Sequence, residues 1–274
     1  MLPISFEIYP PKNDAQHAQL QRTLEKLKAY RPQFISCTYG AGGSSREHTI
    51  ETVQLLSSEH GLEGVPHLTC IGSTREEIIA LLAHYQQQGV RRIVALRGDM
   101  PSGMLDPGEL RHASDLVALI RDAFGQHFHI EVAAYPETHP QARDALADIG
   151  NFKRKVDAGA DSAITQYFYN ADAYFRFVDD IRALGVEVPV VPGIMPISNF
   201  SQLQRFSESC GAEIPRWVAQ RMRAFGDDSG AIREFAADLV ATLCQRLLAG
   251  GAPALHFYTL NLARPVSNIL KRLQ

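Results

Sequence analysis

Short apolar or β-branched runs, each followed by a longer stretch with helical periodicity, recur from one end of the chain to the other. The runs fall at 4–9, 34–39, 67–71, 92–96, 131–135, 163–168, 188–194 and 255–260. Helical segments lie between them at 15–30, 49–60, 75–88, 114–124, 142–158 and 173–184. Strands joined by helix-length connections must run parallel, because hairpins use much shorter loops. Eight such units close naturally into a barrel, so the pattern predicts an α/β fold of the (β/α)8 TIM-barrel type. After the seventh run, 200–210, 215–225 and 231–248 read as three successive helices, extra elements inserted before the eighth strand. The competing fold, a doubly wound open sheet, usually carries a GxGxxG turn after an early strand, and Gly40-Ala41-Gly42-Gly43 has the wrong spacing. Gly159, Gly185, Gly193 and Gly250-Gly251 read as punctuation, where left-handed backbone is cheap.

The chain has 274 residues, and barrels of this type commonly use about 250 as one unit. No low-complexity tract or Pro/Ser-rich linker divides it, so a single catalytic domain over 1–274 is expected. A net charge of -3 without a basic run argues against nucleic acid as a partner. Cys37, Cys70, Cys210 and Cys244 form no CxxC pair, so neither a zinc site nor a disulfide framework is expected. The first residues lack a signal-peptide pattern, and no apolar run reaches the roughly 18 residues of a membrane span. A cytoplasmic protein is the expectation.

In a barrel, polar residues at the carboxyl ends of strands face a ligand. Glu7 stands between Phe6 and Ile8, and an apolar setting would favour the protonated acid, the state a proton donor needs. A salt-bridged or surface glutamate is the alternative. At the fourth strand Arg97-Gly98-Asp99 puts a cation, a flexible backbone and an anion at the mouth, or else a turn with a local ion pair. His67 reads more readily as a core histidine than as a ligand, and Tyr135-Pro136-Glu137-Thr138-His139-Pro140 reads also as a rigid turn. The next helix carries Asp148, Asn151, Arg154 and Lys155, whose spacing groups Asp148, Asn151 and Lys155 on one face, although solvated salt bridges would explain them too. No HxH or HExxH spacing supports a metal, and no GxSxG elbow supports a nucleophilic serine.

Ten segments in order carry a resemblance. They are Phe6-Glu7-Ile8-Tyr9-Pro10-Pro11, Thr38-Tyr39-Gly40-Ala41, Pro66-His67-Leu68-Thr69-Cys70, Ala95-Leu96-Arg97-Gly98-Asp99, Ala134-Tyr135-Pro136-Glu137, the stretch from Lys153 to Ala160, Ile164-Thr165-Gln166, Val191-Pro192-Gly193-Ile194, Ser198-Asn199-Phe200, and His256-Phe257-Tyr258-Thr259-Leu260-Asn261. Together they resemble methylenetetrahydrofolate reductases of the bacterial type over nearly the whole chain. The resemblance implies a barrel that holds FAD non-covalently and reduces 5,10-methylenetetrahydrofolate with electrons from NADH or NADPH, both substrates using one site in turn. It implies FAD contacts from Tyr39, Ala41, His67, Arg97, Gly98, Asp99, Ala113, Tyr135, His139, Ala142, Asp148, Asn151, Arg154 and Lys155, with Arg154 and Lys155 facing pyrophosphate.

By the same resemblance Glu7 and Asp99 are catalytic, Glu7 as proton donor to the folate ring and Asp99 as a fixed charge beside the flavin. Gln166 and Tyr258 would contact the folate, Thr38 and Gln166 the nicotinamide, and Phe200 would stack on either flat ring. A homo-oligomer is also implied. One departure stands out: after Thr259-Leu260-Asn261, where bacterial relatives usually carry a basic residue, this chain has Leu262, with Arg264 two places later. The chain also ends at Gln274 without the regulatory region of eukaryotic relatives, so control by S-adenosylmethionine through such a region is not expected. Against the reductase stands a folate-binding flavoprotein subunit that trades electrons with a partner protein. An aldolase- or hydrolase-type barrel would want a strand-end lysine or a metal cluster, and neither is present.

Overall fold

The structure, a computed structural model, describes residues 2–39, 44–100, 106, 108–226 and 228–273. Strand and helix alternate through β1 (Ile4–Ile8), α1 (Asp14–Leu27), β2 (Ile35–Cys37), α2 (Ser44–Ser58), β3 (Gly64–Thr69), α3 (Arg75–Gln87), β4 (Arg92–Leu96), α4 (Ala113–Phe124), β5 (His129–Ala134), α5 (Ala145–Asp157), β6 (Ser162–Thr165) and α6 (Ala171–Ala183). Two very short strands follow, β7 (Val190–Val191) and β8 (Gly193–Ile194). Then come α7 (Phe200–Cys210), α8 (Arg216–Ala224), α9 (Ser229–Ala249), β9 (Leu255–Tyr258) and α10 (Ala263–Arg272).

All strands pair in parallel in the order β7-β6-β5-β4-β3-β2-β1-β9-β8. The ends of this sheet, β7 and β8, are halves of one strand parted by Pro192, so the sheet rolls into a barrel. The run 188–194, read from sequence as one strand, therefore serves two neighbours. Proline has no N–H to give to a ladder, so regular pairing breaks there. β7 pairs with β6 ahead of the break and β8 with β9 after it, while the Pro192 carbonyl still accepts from His256 N. Three helices do stand between this strand and the last one, as the periodicity predicts. The helix expected from 142 begins instead at Ala145, because Asp144 caps it by accepting from Ala147 N and the preceding residues turn through Thr138 at φ 72°.

Side chains alternate along each strand, and the alternation sorts the chain into two cores. On β1, Ile4, Phe6 and Ile8 face the helices, where they pack with Leu20 and Leu24 of α1 and Val266 of α10. A side chain such as Phe6, fully buried, stabilises the fold by about 1.5–3 kcal/mol. Inside the barrel a smaller cluster of Phe34, Val65, Val94 and Ile164, with Leu96 against it, fills the middle. Beside that cluster the Arg92 guanidinium lies over the Phe34 ring at 4.8 Å and pairs with the buried Glu131 at 2.5 Å. With the interior packed, an open cavity is left to the strand ends. Among the described residues no helix is long and apolar enough to cross a membrane.

Candidate active site at the carboxyl ends of the strands

A cavity of about 940 Å³ opens over the ends of β3, β4 and β5 and along α5. Tyr39, Arg97, Gly98, Asp99, Ala113, Tyr135, His139, Ala142, Asp148, Asn151, Arg154 and Lys155 all line it. Ala41 lies outside the described residues. His67 is not among the lining residues, and its imidazole sits deeper, beside Glu7. Glu47, Ser73, His112 and Gln141, which no sequence motif singles out, line the cavity as well, as does Thr69. Most of these lie in the segments that follow a strand, which is the signal that could have found them.

The β4 end shows why its residue types matter. Gly98 has φ +88°, and a Cβ there would stand 2.9 Å from the Thr69 Cβ, so the bare backbone forms the wall. Arg97 does not pair with Asp99: Nε donates to the Gly98 carbonyl at 3.1 Å and Nη2 to Gln141 Oε1 at 2.6 Å. Asp99 is left exposed at the rim. On the β5 side, Tyr135 and His139 meet edge to face at 4.5 Å. Burial, with Asp148 and Asp99 adding, pushes the Tyr135 hydroxyl up to about 12, so it stays protonated. Burial also lowers His139, against the pull of Asp148, and its Nδ1 accepts from Gln141 N at 3.0 Å.

On α5, Asp148 Oδ2 accepts from His139 N at 2.8 Å and ties the turn to the helix. Arg154 donates to Asn151 Oδ1, and both side chains are exposed on the cavity wall. Lys155 behaves differently: Nζ donates to the Ala133 carbonyl, and desolvation pulls its ammonium down to about 8 in spite of Asp148. Of the two cations expected to face an anion, Arg154 is the freer.

Glu7, Thr38, Gln166, Phe200 and Tyr258 stand on the neighbouring side of the mouth, at the ends of β1, β2, β6 and β9 and the start of α7. The apolar setting expected for Glu7 is corrected. Phe6 and Ile8 are its neighbours in sequence and therefore point to the opposite face of the strand. Across the barrel interior, Glu7 Oε2 has His67 Nε2 at 3.4 Å and His256 Nε2 at 3.9 Å. The pairing of β1 with β9 sets Ser5 opposite His256, and Ser5 Oγ meets His256 Nδ1 at 2.7 Å. Neither imidazole Nε2 has a hydrogen-bond partner, and neither does the buried Ser36 Oγ. Burial lowers His67, which outweighs the opposing charge of Glu7 and keeps the ring neutral near pH 7.

Tyr258 spans the two sides. Its hydroxyl donates to the Thr165 carbonyl at 2.6 Å, so its ring rather than its O–H is what it offers a ligand. Burial raises that hydroxyl well above its ordinary value, with the charges of Glu7 and Tyr135 adding to the effect. Gly193 makes room for the ring: a Cβ there would lie 2.1 Å from the Thr165 carbonyl oxygen and 2.7 Å from the Tyr258 ring. The residue is thus needed for space, not for the left-handed backbone expected of it. Gln166 Oε1 accepts from Tyr167 N at 3.0 Å, leaving Nε2 as its remaining donor. Phe200 opens α7, which is capped by Asn199 accepting from Gln202 N. Among the described residues no group of three or more His, Cys, Asp or Glu is placed to hold a metal.

Comparison with known proteins places these features. The profile of the family described as methylenetetrahydrofolate reductase matches residues 2–274. The 5,10-methylenetetrahydrofolate reductase of Escherichia coli K12 is 41% identical over 95% of this chain and 86% of its own length. That of Buchnera aphidicola from Schizaphis graminum is 38% identical over 94% of this chain and 87% of its own. An Arabidopsis thaliana methylenetetrahydrofolate reductase (NADH) is 36% identical over 98% of this chain but 48% of its own length. Among solved structures, an uncharacterised Clostridium thermocellum protein that binds two copies of 5-methyl-5,6,7,8-tetrahydrofolic acid superposes with a TM-score of 0.67. It is 15% identical and covers 99% of this chain and 93% of that one, a likeness of fold.

Proposed function

The chain belongs to the methylenetetrahydrofolate reductase family, and from that premise we propose that it reduces 5,10-methylenetetrahydrofolate to 5-methyltetrahydrofolate, using a bound FAD that NADH or NADPH reduces at the same site. The observation that carries the reading is the pairing of Glu7 in register with Tyr258 across β1 and β9, at the same ends of the parallel strands where the large cavity opens over β3, β4 and β5. A cofactor in the cavity and a substrate over Glu7 would share one mouth.

The residues present suit a flavin dinucleotide. About 940 Å³ lies at the upper end of what ligand sites of this kind enclose. Bare backbone at Gly98 permits close approach of a flat ring, and the exposed Arg154 suits pyrophosphate. Tyr39, Arg97, Gly98, Asp99, Ala113, Tyr135, His139, Ala142, Asp148, Asn151 and Lys155 would complete the site, and His67 would act from beneath it. Bound flavin supplies a two-electron carrier that a nicotinamide can reduce and a folate can oxidise.

The protein's own groups do the rest. Glu7 Oε2 passes a proton to a nitrogen of the folate's five-membered ring, which opens the ring and leaves the one-carbon unit electrophilic. The two imidazoles beside it, His67 and His256, stand with Nε2 at 3.4 and 3.9 Å from its Oε2. Asp99, exposed at the rim, provides a fixed negative charge that would disfavour an anionic reduced flavin and so favour hydride donation. Gln166 Nε2 contacts the pterin or the nicotinamide, Thr38 the nicotinamide, and the rings of Phe200 and Tyr258 hold either planar substrate. The whole chain acts as one catalytic unit.

The test is spectroscopic. The purified protein is expected to be yellow, to bleach on anaerobic addition of NADH or NADPH, and to regain its absorbance with methylenetetrahydrofolate. A colourless protein that takes up no FAD refutes the reading. Reduction that requires a second protein favours an electron-exchanging subunit instead.

A further inference from the structure

The segment Thr259-Leu260-Asn261 does more than end a strand. Leu260 and Asn261 both adopt left-handed backbone, at φ 50° and 56°, which costs a non-glycine residue free energy and persists only where surrounding contacts enforce it. Those contacts run to the strand that carries Glu7. Thr259 N and Thr259 Oγ1 both donate to the Glu7 carbonyl, at 3.1 and 2.7 Å. Asn261 Oδ1 accepts from Tyr9 N at 3.0 Å while Nδ2 donates to the Tyr9 carbonyl at 2.9 Å. The turn is itself braced, because Asn261 N donates to Thr259 Oγ1 and Thr23 Oγ1 of α1 donates to the Asn261 carbonyl.

The carboxamide stands in for a missing strand. Beyond Tyr9 the chain runs into Pro10 and Pro11, which have no N–H and cannot extend the ladder. A single side chain must then satisfy both polar groups of Tyr9. Asparagine alone offers a donor and an acceptor at this reach together with tolerance of positive φ. Aspartate would set a carboxylate oxygen against the Tyr9 carbonyl, and glycine would supply the backbone without the tether. Asn261 is 3% exposed and Thr259 2%, so water does not compete for these bonds.

We infer that Asn261, seconded by Thr259, is a positioning residue for Glu7, holding the main chain at the acid and just beyond it in the register that presents its carboxyl to the substrate. The inference rests on the reading of Glu7 as proton donor. Its test compares Asn261→Asp, Asn261→Gly and Thr259→Val with Glu7→Gln in the two half-reactions of the flavin-loaded protein. The Asn261 and Thr259 variants are expected to slow folate-dependent flavin reoxidation by about 10- to 100-fold, as misplacement of a catalytic group by an ångström does. The concentration of folate needed for half the maximal rate should move far less, and flavin reduction by the nicotinamide should stay within about twofold.

Deuterium exchange at the Tyr9 amide should quicken in both Asn261 variants, a readout independent of turnover. Thr259→Ser, which keeps the hydroxyl, should retain the folate rate. Equal loss in both half-reactions would make the segment merely structural and overturn the inference. So would an unchanged folate rate alongside a quickened Tyr9 amide. If Asn261→Asp does not fold, Asn261→Gly and Thr259→Val decide. Normal folate turnover by Glu7→Gln would instead refute the proton-donor reading, whatever the Asn261 variants do.

Discussion

Gly193→Ala is the substitution whose outcome the barrel geometry constrains most tightly. The added methyl would sit 2.1 Å from the Thr165 carbonyl oxygen, about 1.3 Å inside the 3.4 Å at which ordinary contact begins, and 2.7 Å from the Tyr258 ring and hydroxyl. Thr165 belongs to β6 and Tyr258 to β9, so the strand between them cannot retreat from one without striking the other. Overpacking of this kind costs about 1–3 kcal/mol. Separating Gly193 from Thr165 also breaks two hydrogen bonds, Gly193 N to Thr165 Oγ1 and Tyr258 OH to the Thr165 carbonyl, each worth about 1 kcal/mol. The total, about 3–5 kcal/mol, is a large part of the stability of an ordinary domain. At about 2–4 °C per kcal/mol for a chain of this size, the melting temperature should fall by roughly 6–20 °C, measured by circular dichroism or calorimetry. Adding Tyr258→Phe should restore little, because the clash with a backbone oxygen remains. A Gly193→Ala protein that melts within about 2 °C of the parent refutes the reasoning.

Three further outcomes follow from the site. Glu7→Gln should leave flavin reduction by the nicotinamide nearly intact while slowing folate turnover by about 10²–10⁴-fold, the usual worth of a general acid, and stopped-flow absorbance separates the halves. Equal loss in both would make Glu7 structural. Gly98→Ala forces a side chain into φ +88° and against Thr69, a strain of about 1–3 kcal/mol, and should lower the ratio of flavin to protein after gel filtration; a full complement of flavin would count against the close approach. Glu131 is buried, and although burial opposes its ionisation, hydrogen bonding from His129 and Ser162 and the charge of Arg92 hold its carboxyl below the ordinary 4.5. A depressed acid stabilises the fold above its unfolded pKa and loses that contribution as pH falls through the folded one. Melting curves of the parent should therefore drop below about pH 4.5, and Glu131→Gln should melt lower at pH 7 with a shallower acid limb. An unchanged acid limb would show that Glu131 is not the group responsible.

The barrel was legible because each strand needs only its own residues to announce it: β-branched runs at helix-length spacing leave little choice of architecture. The division of the seventh strand was not, since Pro192 breaks the pairing only in view of two neighbours, β6 and β9, that periodicity cannot align. Residues that follow β4 and β5 or share one face of α5 line the large cavity, and strand ends and helix faces are both legible from spacing. The surroundings of Glu7 were misread for a definite reason. Adjacent residues of a strand point apart, so Phe6 and Ile8 say nothing about the Glu7 carboxyl, whereas Ser5, two places back, and His256, far along the chain, share its face. Nothing in the six letters from His256 to Asn261 marks the task of Asn261, because positive φ and a grip on Tyr9 are properties of a closed barrel.

Closure through two strands of two residues each has a dynamic consequence. Where β6 meets β7 and β8 meets β9 the ladder offers only Ala163 to Val190, Ile164 to Val191, Gly193 to His256 and Ile194 to Phe257. Local opening begins where the fewest backbone bonds must break together, so this seam should be the first part of the barrel to breathe. The Tyr258 hydroxyl stitches across it to Thr165, between the ends that carry Gln166 and Tyr258 themselves. A planar substrate resting on both would bind the shut ring better than the open one, and filling the site would thereby tighten the barrel's weakest joint.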